Sequence, residues 1–392
     1  MTGVFICRFK RTPIGRYGGT LSSVRPDELA AHVIDATLDG ESLPVDEVMF
    51  GCANQAGEDS RNVARMAVLL SALPDTVPAV TVNRLCASGL DAIIQGARAI
   101  AAGAAEIVIA GGVESMSRAP FVMPKADSAF SRRAELHDTT IGLRFLHERI
   151  AASYGADAMP DTAENVAADF RIARADQDAY ALRSQQRYDA QWHAADIAPL
   201  AVRGRKGERI MVDTDEHPRI TTPEKLAALP TPFRQGGSVT AGNASGINDG
   251  AAAVLLASET AVEKFDLTPL ARIGQSASAG VAPRIMGIGP IAAVRKLCDR
   301  TGLSPQDFDI IELNEAFAAQ VLACTRSWGL TDDAAHVNAR GGGISLGHPL
   351  GMSGARIAGT AARRLFESGG RTALATLCVG GGQGVALALH GA

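Results

Sequence analysis

Two cysteines and a histidine stand where this chain passes from a strand into a helix or a glycine-rich turn, and each could do chemistry there. The first lies in Val82-Asn83-Arg84-Leu85-Cys86-Ala87-Ser88-Gly89-Leu90. The apolar run Pro78-Ala79-Val80-Thr81-Val82 before it reads as a buried strand. Leu90 to Ile100 after it is apolar at helical spacing and closed by Gly103. Cys86 is therefore expected at a helix start, where free N–H groups and the positive dipole end favour a thiolate. A small cysteine also suits packing in a tight turn, so this stretch alone leaves nucleophile and packing residue both open.

The C-terminal quarter adds the rest of a constellation. In Glu312-Leu313-Asn314-Glu315-Ala316-Phe317, a strand gives way to a helix at Asn314. Asparagine there can orient a water or a carbonyl, or cap the helix, and both could hold. His348 follows Gly347 and precedes Pro349, which keeps it out of the helical conformation at the mouth of a helix. Cys378 ends a strand, and Gly380-Gly381-Gly382 behind it lets backbone N–H groups approach a ligand. One cysteine with one histidine would suggest a thiol hydrolase. With two thiols, one can hold an acyl group while the other moves a proton at carbon.

The elements that must position these residues form two similar sets. Val4–Cys7, Glu47–Cys52, Pro78–Val82 and Glu106–Gly112 read as strands, with helices near 26–38, 61–72 and 90–100 between them. The alternation points to a layered α/β unit with a buried sheet. Ala251–Ala257 is a further strand. Between 118 and 244 the alternation is lost, prolines and charges rise, and helices are expected at 162–170 and 175–191. In the second of these, Asp176, Arg183 and Arg187 read as a solvated face, and Arg203 to Arg209 as a basic loop, more simply solvated than a phosphate site. This section reads as a lid or separate small domain. Ser88-Gly89, Arg98 and Ile100 then recur as Ser353-Gly354, Arg363 and Leu365 at identical offsets, each set leading into a strand that ends in glycines. The shared β–α–β context makes an internal duplication, two α/β halves with helix N-termini facing one site.

Composition limits the classes. The chain has 392 residues, enough for two or three structural units, and is 46% hydrophobic and 20% charged, as a globular protein is. A net charge of −4 argues against nucleic acid or an anionic membrane as the main partner. The 6 cysteines form no CxxC pair and no zinc-like spacing, so they read as reduced thiols in the cytoplasm. The N-terminus has no signal-peptide core, and no stretch approaches a membrane span.

Val82 to Cys86, Gly111 to Ser117, Thr240 to Gly246, Asn314 to Phe317, Gly347-His348-Pro349 and Cys378-Val379-Gly380 together resemble the thiolase family over essentially the whole length. Gly51 to Asp59, Arg118 to Met123 and Asp138 to Gly142 are similar to its 3-oxoadipyl-CoA (β-ketoadipyl-CoA) subgroup. The resemblance implies an α/β/α/β/α fold, with halves at 1–117 plus 246–268 and at 269–392, and a loop domain at 118–245 over the CoA site. It implies an acyl-CoA C-acyltransferase that splits a 3-oxoacyl-CoA with CoA, 3-oxoadipyl-CoA to succinyl-CoA in aromatic degradation, with a general 3-ketoacyl-CoA or acetyl-CoA acetyltransferase as the alternative. Cys86 would be acylated, His348 would be its base, and Cys378 the acid/base at carbon. Asn314 (through a water) and His348 would stabilise the enolate, and the N–H groups of Cys86 and Gly380 the tetrahedral oxyanion. Ser245 would meet the CoA pantetheine, Arg219 its nucleotide end and Met286 the acyl chain, with Phe317 beside them. Coenzyme A enters as substrate, with no prosthetic group or metal, and a homodimer or homotetramer is implied.

Four departures stand out. Ala87 replaces the usual glycine beside the nucleophile, Ala158 replaces a histidine of short-chain members, and Phe9-Lys10 and Ala339-Arg340 are unusual. A ketosynthase-type enzyme would carry a second histidine where Cys378 stands, and a non-catalytic CoA- or lipid-binding relative need not keep the nucleophile. A terminal substrate carboxylate would need a cation or several donors, for which Arg144 and Arg149, with Arg133 behind them, are candidates.

Overall fold

Continuous apolar runs build the framework. The computed structural model describes residues 3–204 and 206–392; Met1, Thr2 and Arg205 of the basic loop lie outside the described residues. The first half comprises β1 (Val4–Arg11), α1 (Pro26–Leu38), β2 (Glu47–Gly51), α2 (Val63–Leu70), β3 (Ala79–Val82), α3 (Ser88–Ala101), β4 (Ile107–Ser115) and β5 (Asn248–Ser258). The second comprises β6 (Ala271–Gly280), α4 (Gly289–Thr301), β7 (Ile310–Leu313), α5 (Ala318–Ser327), α6 (Leu350–Ser368), β8 (Thr372–Val379) and β9 (Gln383–His390). β4 and β5 are buried at every position, as strands covered by helices on both faces must be.

The sheet order is β3-β2-β4-β5-β1-β6-β9-β8-β7. In the first half β2 runs parallel to β3 and β4, while β5 is antiparallel between β4 and β1. The second half repeats the pattern: β7 runs parallel to β8, and β9 is antiparallel between β8 and β6. Val337 makes a parallel bridge to Ile311 of β7, at the place where β3 lies beside β2. The halves meet where β1 touches β6, across the pairs Phe5–Arg272 and Ile6–Ala271.

Three packed cores sort these elements into layers. α3 and α6 lie against each other and share one core with inward residues of both strand sets, such as Ile6, Leu256, Leu377 and Leu387. α1 and α2 cover the outer face of the first set, and α4 and α5 that of the second. The result is the α/β/α/β/α stack that the family resemblance implied.

The contact between α3 and α6 depends on glycine. A Cβ on Gly89 would stand 2.5 Å from the Gly351 carbonyl oxygen, and one on Gly354 would overlap the Leu90 backbone. No side chain fits, so the two backbones touch at the first turn of each helix.

Cys86 lies at the expected strand-to-helix junction, in a single 3₁₀ turn, Leu85–Ala87, just before α3 begins at Ser88. One expectation needs correction. The face of the Arg174–Arg187 helix carrying Asp176, Arg183 and Arg187 is docked on the second half. There Arg187 donates to the Val337 carbonyl at 2.6 Å, Arg183 to that of Asp332, and Arg326 to Asp176 at 2.8 Å. The pattern of charges looked solvated because backbone carbonyls, which have no sequence signature, are the main partners.

Gly354→Ala tests the helix contact. A methyl forced against the Leu90 backbone should lower stability by ~2–3 kcal/mol, read as a lower urea midpoint at unchanged slope. Stability within ~0.5 kcal/mol of wild type would show that the helices have room to separate.

Candidate active site

The two helix starts and the β8 end converge on one cavity of about 90 Å³. Cys86, Ser245, Met286, Phe317, His348, Cys378 and Gly380 all line it, with Leu85, Met159, Leu350 and the segment Ile141-Gly142-Leu143 completing its largely apolar wall. A volume of this size is about three water volumes, so it holds the reacting end of a ligand rather than a whole one. Two expected residues lie outside the lining. Asn314 is buried behind it, its Nδ2 3.4 Å from His348 Nε2. Arg219 is exposed, donating from Nη2 to the Ala241 carbonyl at 2.7 Å, on the loop that leads to Ser245.

Asn314 does not cap α5, whose N-cap is Phe317. Its backbone N–H donates to the Thr376 carbonyl of β8 at 3.0 Å, and its side chain turns to the histidine. Asn314 Oδ1 is buried without a partner among the described residues, an acceptor that a water or a ligand donor would satisfy.

The hydrogen bonds around His348 assign its tautomer. Ser353 Oγ donates its one proton to the Pro349 carbonyl at 2.8 Å, so at 2.6 Å from His348 Nδ1 it must accept Nδ1–H. Nε2 is left with its lone pair toward the site. Burial, with Arg356 adding to it, lowers the His348 pKa to about 3, so the imidazole is neutral at pH 7 and can take a proton. Asn248 Oδ1 fixes the backbone by accepting His348 N–H at 3.0 Å.

The thiols are held protonated. Burial raises the Cys86 pKa to about 11, although the N–H groups of Gly380 and of Cys86 itself bond to the sulfur and pull the other way. Desolvation therefore opposes the thiolate that a helix start favours. Burial, with the neighbouring Cys86, also pushes Cys378 well above the thiol range. The site is a neutral acid–base set, two thiols and one imidazole, with N–H donors aimed where an oxyanion could form.

The turn carrying the nucleophile candidate is strained. Leu85 has φ 46°, a left-handed conformation costly for a bulky side chain. Its N–H donates to Asn83 Oδ1 at 2.9 Å and its carbonyl accepts Ser88 Oγ at 2.7 Å, which hold the turn.

Comparison with known proteins agrees with this geometry. The family models for the thiolase N-terminal and C-terminal domains match residues 4–260 and 267–391. The chain belongs to the thiolase family. This thiolase is 60% identical to the Pseudomonas aeruginosa protein named beta-ketoadipyl-CoA thiolase, over 99% of this chain and 98% of that one. It is 56% identical to the Escherichia coli 3-oxoadipyl-CoA/3-oxo-5,6-dehydrosuberyl-CoA thiolase, over 100% of both. The crystal structure of human mitochondrial 3-ketoacyl-CoA thiolase superposes with a TM-score of 0.90 at 41% identity, covering 100% of this chain and 99% of that one. The enzyme is thus an acyltransferase.

Several residues that shape the site escaped the sequence. Ser353 was visible only as the repeat partner of Ser88, yet the two do matching work. Each ties the first turn of its helix to the loop before it, Ser88 at Leu85 and Ser353 at His348. Buried Glu114 accepts N–H bonds from Ala53 at 2.9 Å, Asn54 at 3.1 Å and Gly351 at 2.9 Å, joining the start of α6 to the loop after β2. The Gly111 to Ser117 stretch carried the family resemblance but gave no sign of these partners. Arg133 and Arg149 are exposed and outside the cavity lining, whereas Arg144 is half-buried beside Leu143 and donates to Asn54 Oδ1 at 3.3 Å.

The pH dependence of alkylation checks the protonation scheme. In the absence of substrate, iodoacetamide should label Cys86 slowly at pH 7, with a rate that climbs about tenfold per pH unit to pH 10, since only thiolate reacts. A plateau reached near pH 7 would mean a preformed thiolate and contradict the burial argument.

Proposed function

We propose that this thiolase cleaves 3-oxoadipyl-CoA with CoA to succinyl-CoA and acetyl-CoA in the degradation of aromatic compounds. The observation that carries the mechanism is that Cys86, Cys378 and His348 line one small cavity with the Gly380 N–H at the Cys86 sulfur. The subgroup rests on the names of the full-length relatives at 54–60% identity.

His348 Nε2 takes the Cys86 proton as the sulfur attacks the 3-keto carbon, and the N–H groups of Cys86 and Gly380 hold the resulting oxyanion. The C2–C3 bond then breaks with its electron pair left on C2. His348, now protonated, and a water held by Asn314 stabilise that enolate, and the Cys378 thiol protonates it to give acetyl-CoA. A thiol pKa held high by burial suits Cys378 to donate to carbon, because the proton is present at every physiological pH. Free CoA then gives its thiol proton to the Cys378 thiolate and attacks the acyl-Cys86 thioester; the Cys86 sulfur leaves with the proton held by His348, which releases the shortened acyl-CoA and restores two thiols and a neutral imidazole. The thioester supplies the carbon acidity, so no prosthetic group is required.

Ser245 is the pantetheine contact in this reading and Arg219 the contact at the nucleotide end, with Met286 and Phe317 against the acyl chain. Residues 118–245 act as a loop domain over CoA, between halves at 1–117 plus 246–268 and at 269–392. A cytoplasmic homodimer or homotetramer completes the proposal. No described helix is long and apolar enough to cross a membrane.

A general 3-ketoacyl-CoA substrate is the second reading, favoured by a cavity lining with neither lysine nor arginine. Arg144, next to the lining residue Leu143, is the cation we assign to a substrate carboxylate. Arg144→Met should lose ~10- to 100-fold in kcat/KM on 3-oxoadipyl-CoA and little on 3-oxohexanoyl-CoA, the range of a charge-assisted hydrogen bond. Wild type preferring the uncharged chain would leave the second reading standing.

The division of labour between thiols has its own test. Cys86→Ser should bind CoA and lose thiolysis, and mass spectrometry of wild type with an acyl-CoA should find one acyl group, on Cys86. Cys378→Ala should still become acylated from a simple acyl-CoA, while carbon–carbon cleavage falls at least ~10²-fold. Equal loss of both steps in Cys378→Ala would make that residue structural.

A further inference from the structure

At the other end of α3 lies a second cavity, of about 400 Å³, lined by Ile94, Ala97, Arg98 and Ala101 of that helix. Cys86 lies just before the start of this helix, about eleven residues from Ala97, which separates the two cavities by about 15–20 Å at 1.5 Å per helical residue. Arg98 reaches this cavity from α3, Arg272 from β6 and Arg300 from α4. No aspartate or glutamate is among its lining residues, and none of the three guanidinium groups is ion-paired among the described residues.

Local structure draws them together. The β6–β9 register slips between Ile273 and Ser276, so Gly274 and Gln275 bulge out of the ladder, and both line the cavity. Gly274 is needed there, since a Cβ would stand 2.7 Å from His390 Nε2. Ser276, just past the bulge, gathers two of the arginines: Arg300 Nη1 donates to its carbonyl at 2.6 Å and Arg98 Nη2 to its Oγ at 3.4 Å. Each guanidinium keeps further N–H donors for a ligand. Burial and Arg272 hold the His390 pKa below its ordinary value, so its ring is a neutral neighbour.

Three like charges from separate elements, converging on a concave site of a chain with net charge −4, form a local positive field with no internal counter-charge. Planar guanidinium forks match the spacing of carboxylate and phosphoryl oxygens. We propose that this cavity is a binding site for a compact dianion, a phosphoryl group or a small dicarboxylate, distinct from the acyl-transfer site. Nothing in the proposed reaction uses these residues, so the site stands or falls independently of it.

Melting temperature at constant ionic strength, with inorganic phosphate or with succinate replacing chloride, tests the site. Wild type should gain about 2 °C at saturating, millimolar anion. Arg98→Met/Arg300→Met should lose that gain while keeping wild-type thiolysis, which shows that it folds. A larger response to phosphate assigns the ligand to the phosphoryl class, a larger response to succinate to the dicarboxylates. No gain over chloride, or an equal gain in the double variant, overturns the proposal. If the double variant loses thiolysis, exposed Arg272→Met alone carries the same comparison.

Discussion

The backbone contact between α3 and α6 is the constraint from which the site follows. Gly89 and Gly354 let the first turns of the two helices meet without side chains between them. Cys86 precedes one of these turns and His348 the other. Any residue larger than glycine at the contact would push the helices apart and separate the thiol from its base. The strands behind them reinforce the same geometry: a Cβ on Gly51 or Gly112 would overlap the backbone of Ser88 or Gly351. Glycine is spent here on close approach, not on flexibility.

Desolvation then sets the chemistry. A cavity with an apolar wall penalises every charged form, so the resting state is two thiols and a neutral imidazole. In the proposed mechanism the same low-dielectric surroundings would strengthen the N–H donors of Cys86 and Gly380 toward an oxyanion. Polar groups just behind the wall keep this set in register: Ser353 holds the ring of His348, Asn248 its backbone, and Asn314 faces Nε2. Glu114, whose pKa burial raises to about 7, anchors the start of α6 by accepting the Gly351 N–H on Oε2 at 2.9 Å.

The long excursion is part of this rigid frame, not an appendage. Tyr180 and Ser184 on its Arg174–Arg187 helix donate to the buried Glu315 carboxylate at 2.8 and 2.6 Å, right behind Asn314. Asp215 takes both donors of buried Arg11 at 2.6 and 2.9 Å, tying the segment before Arg219 to β1. The segment around Ile141–Leu143 is more open, with both side chains exposed while lining the cavity.

The sequence by itself determined the repeating framework and singled out the candidate reactive residues. Buried strands announce themselves as unbroken apolar runs, the helices by their period, and the duplication by Ser-Gly pairs at equal offsets. Cys86, His348 and Cys378 stood out as candidates because each lies at the end of an element, His348 between Gly347 and Pro349 and Cys378 just before three glycines. Tertiary structure alone decided how they work. Whether Cys86 rests as thiol or thiolate depends on burial by residues far along the chain, and that opposes the helix-dipole expectation. Asn314 looked like a cap because its junction is local, but its partner His348 is 34 residues away. Asp176, Arg183 and Arg187 looked solvated because sequence shows charges and hides the backbone carbonyls that meet them. Local pattern fixes which face a residue occupies; only the packed fold fixes the dielectric around it and the partner opposite.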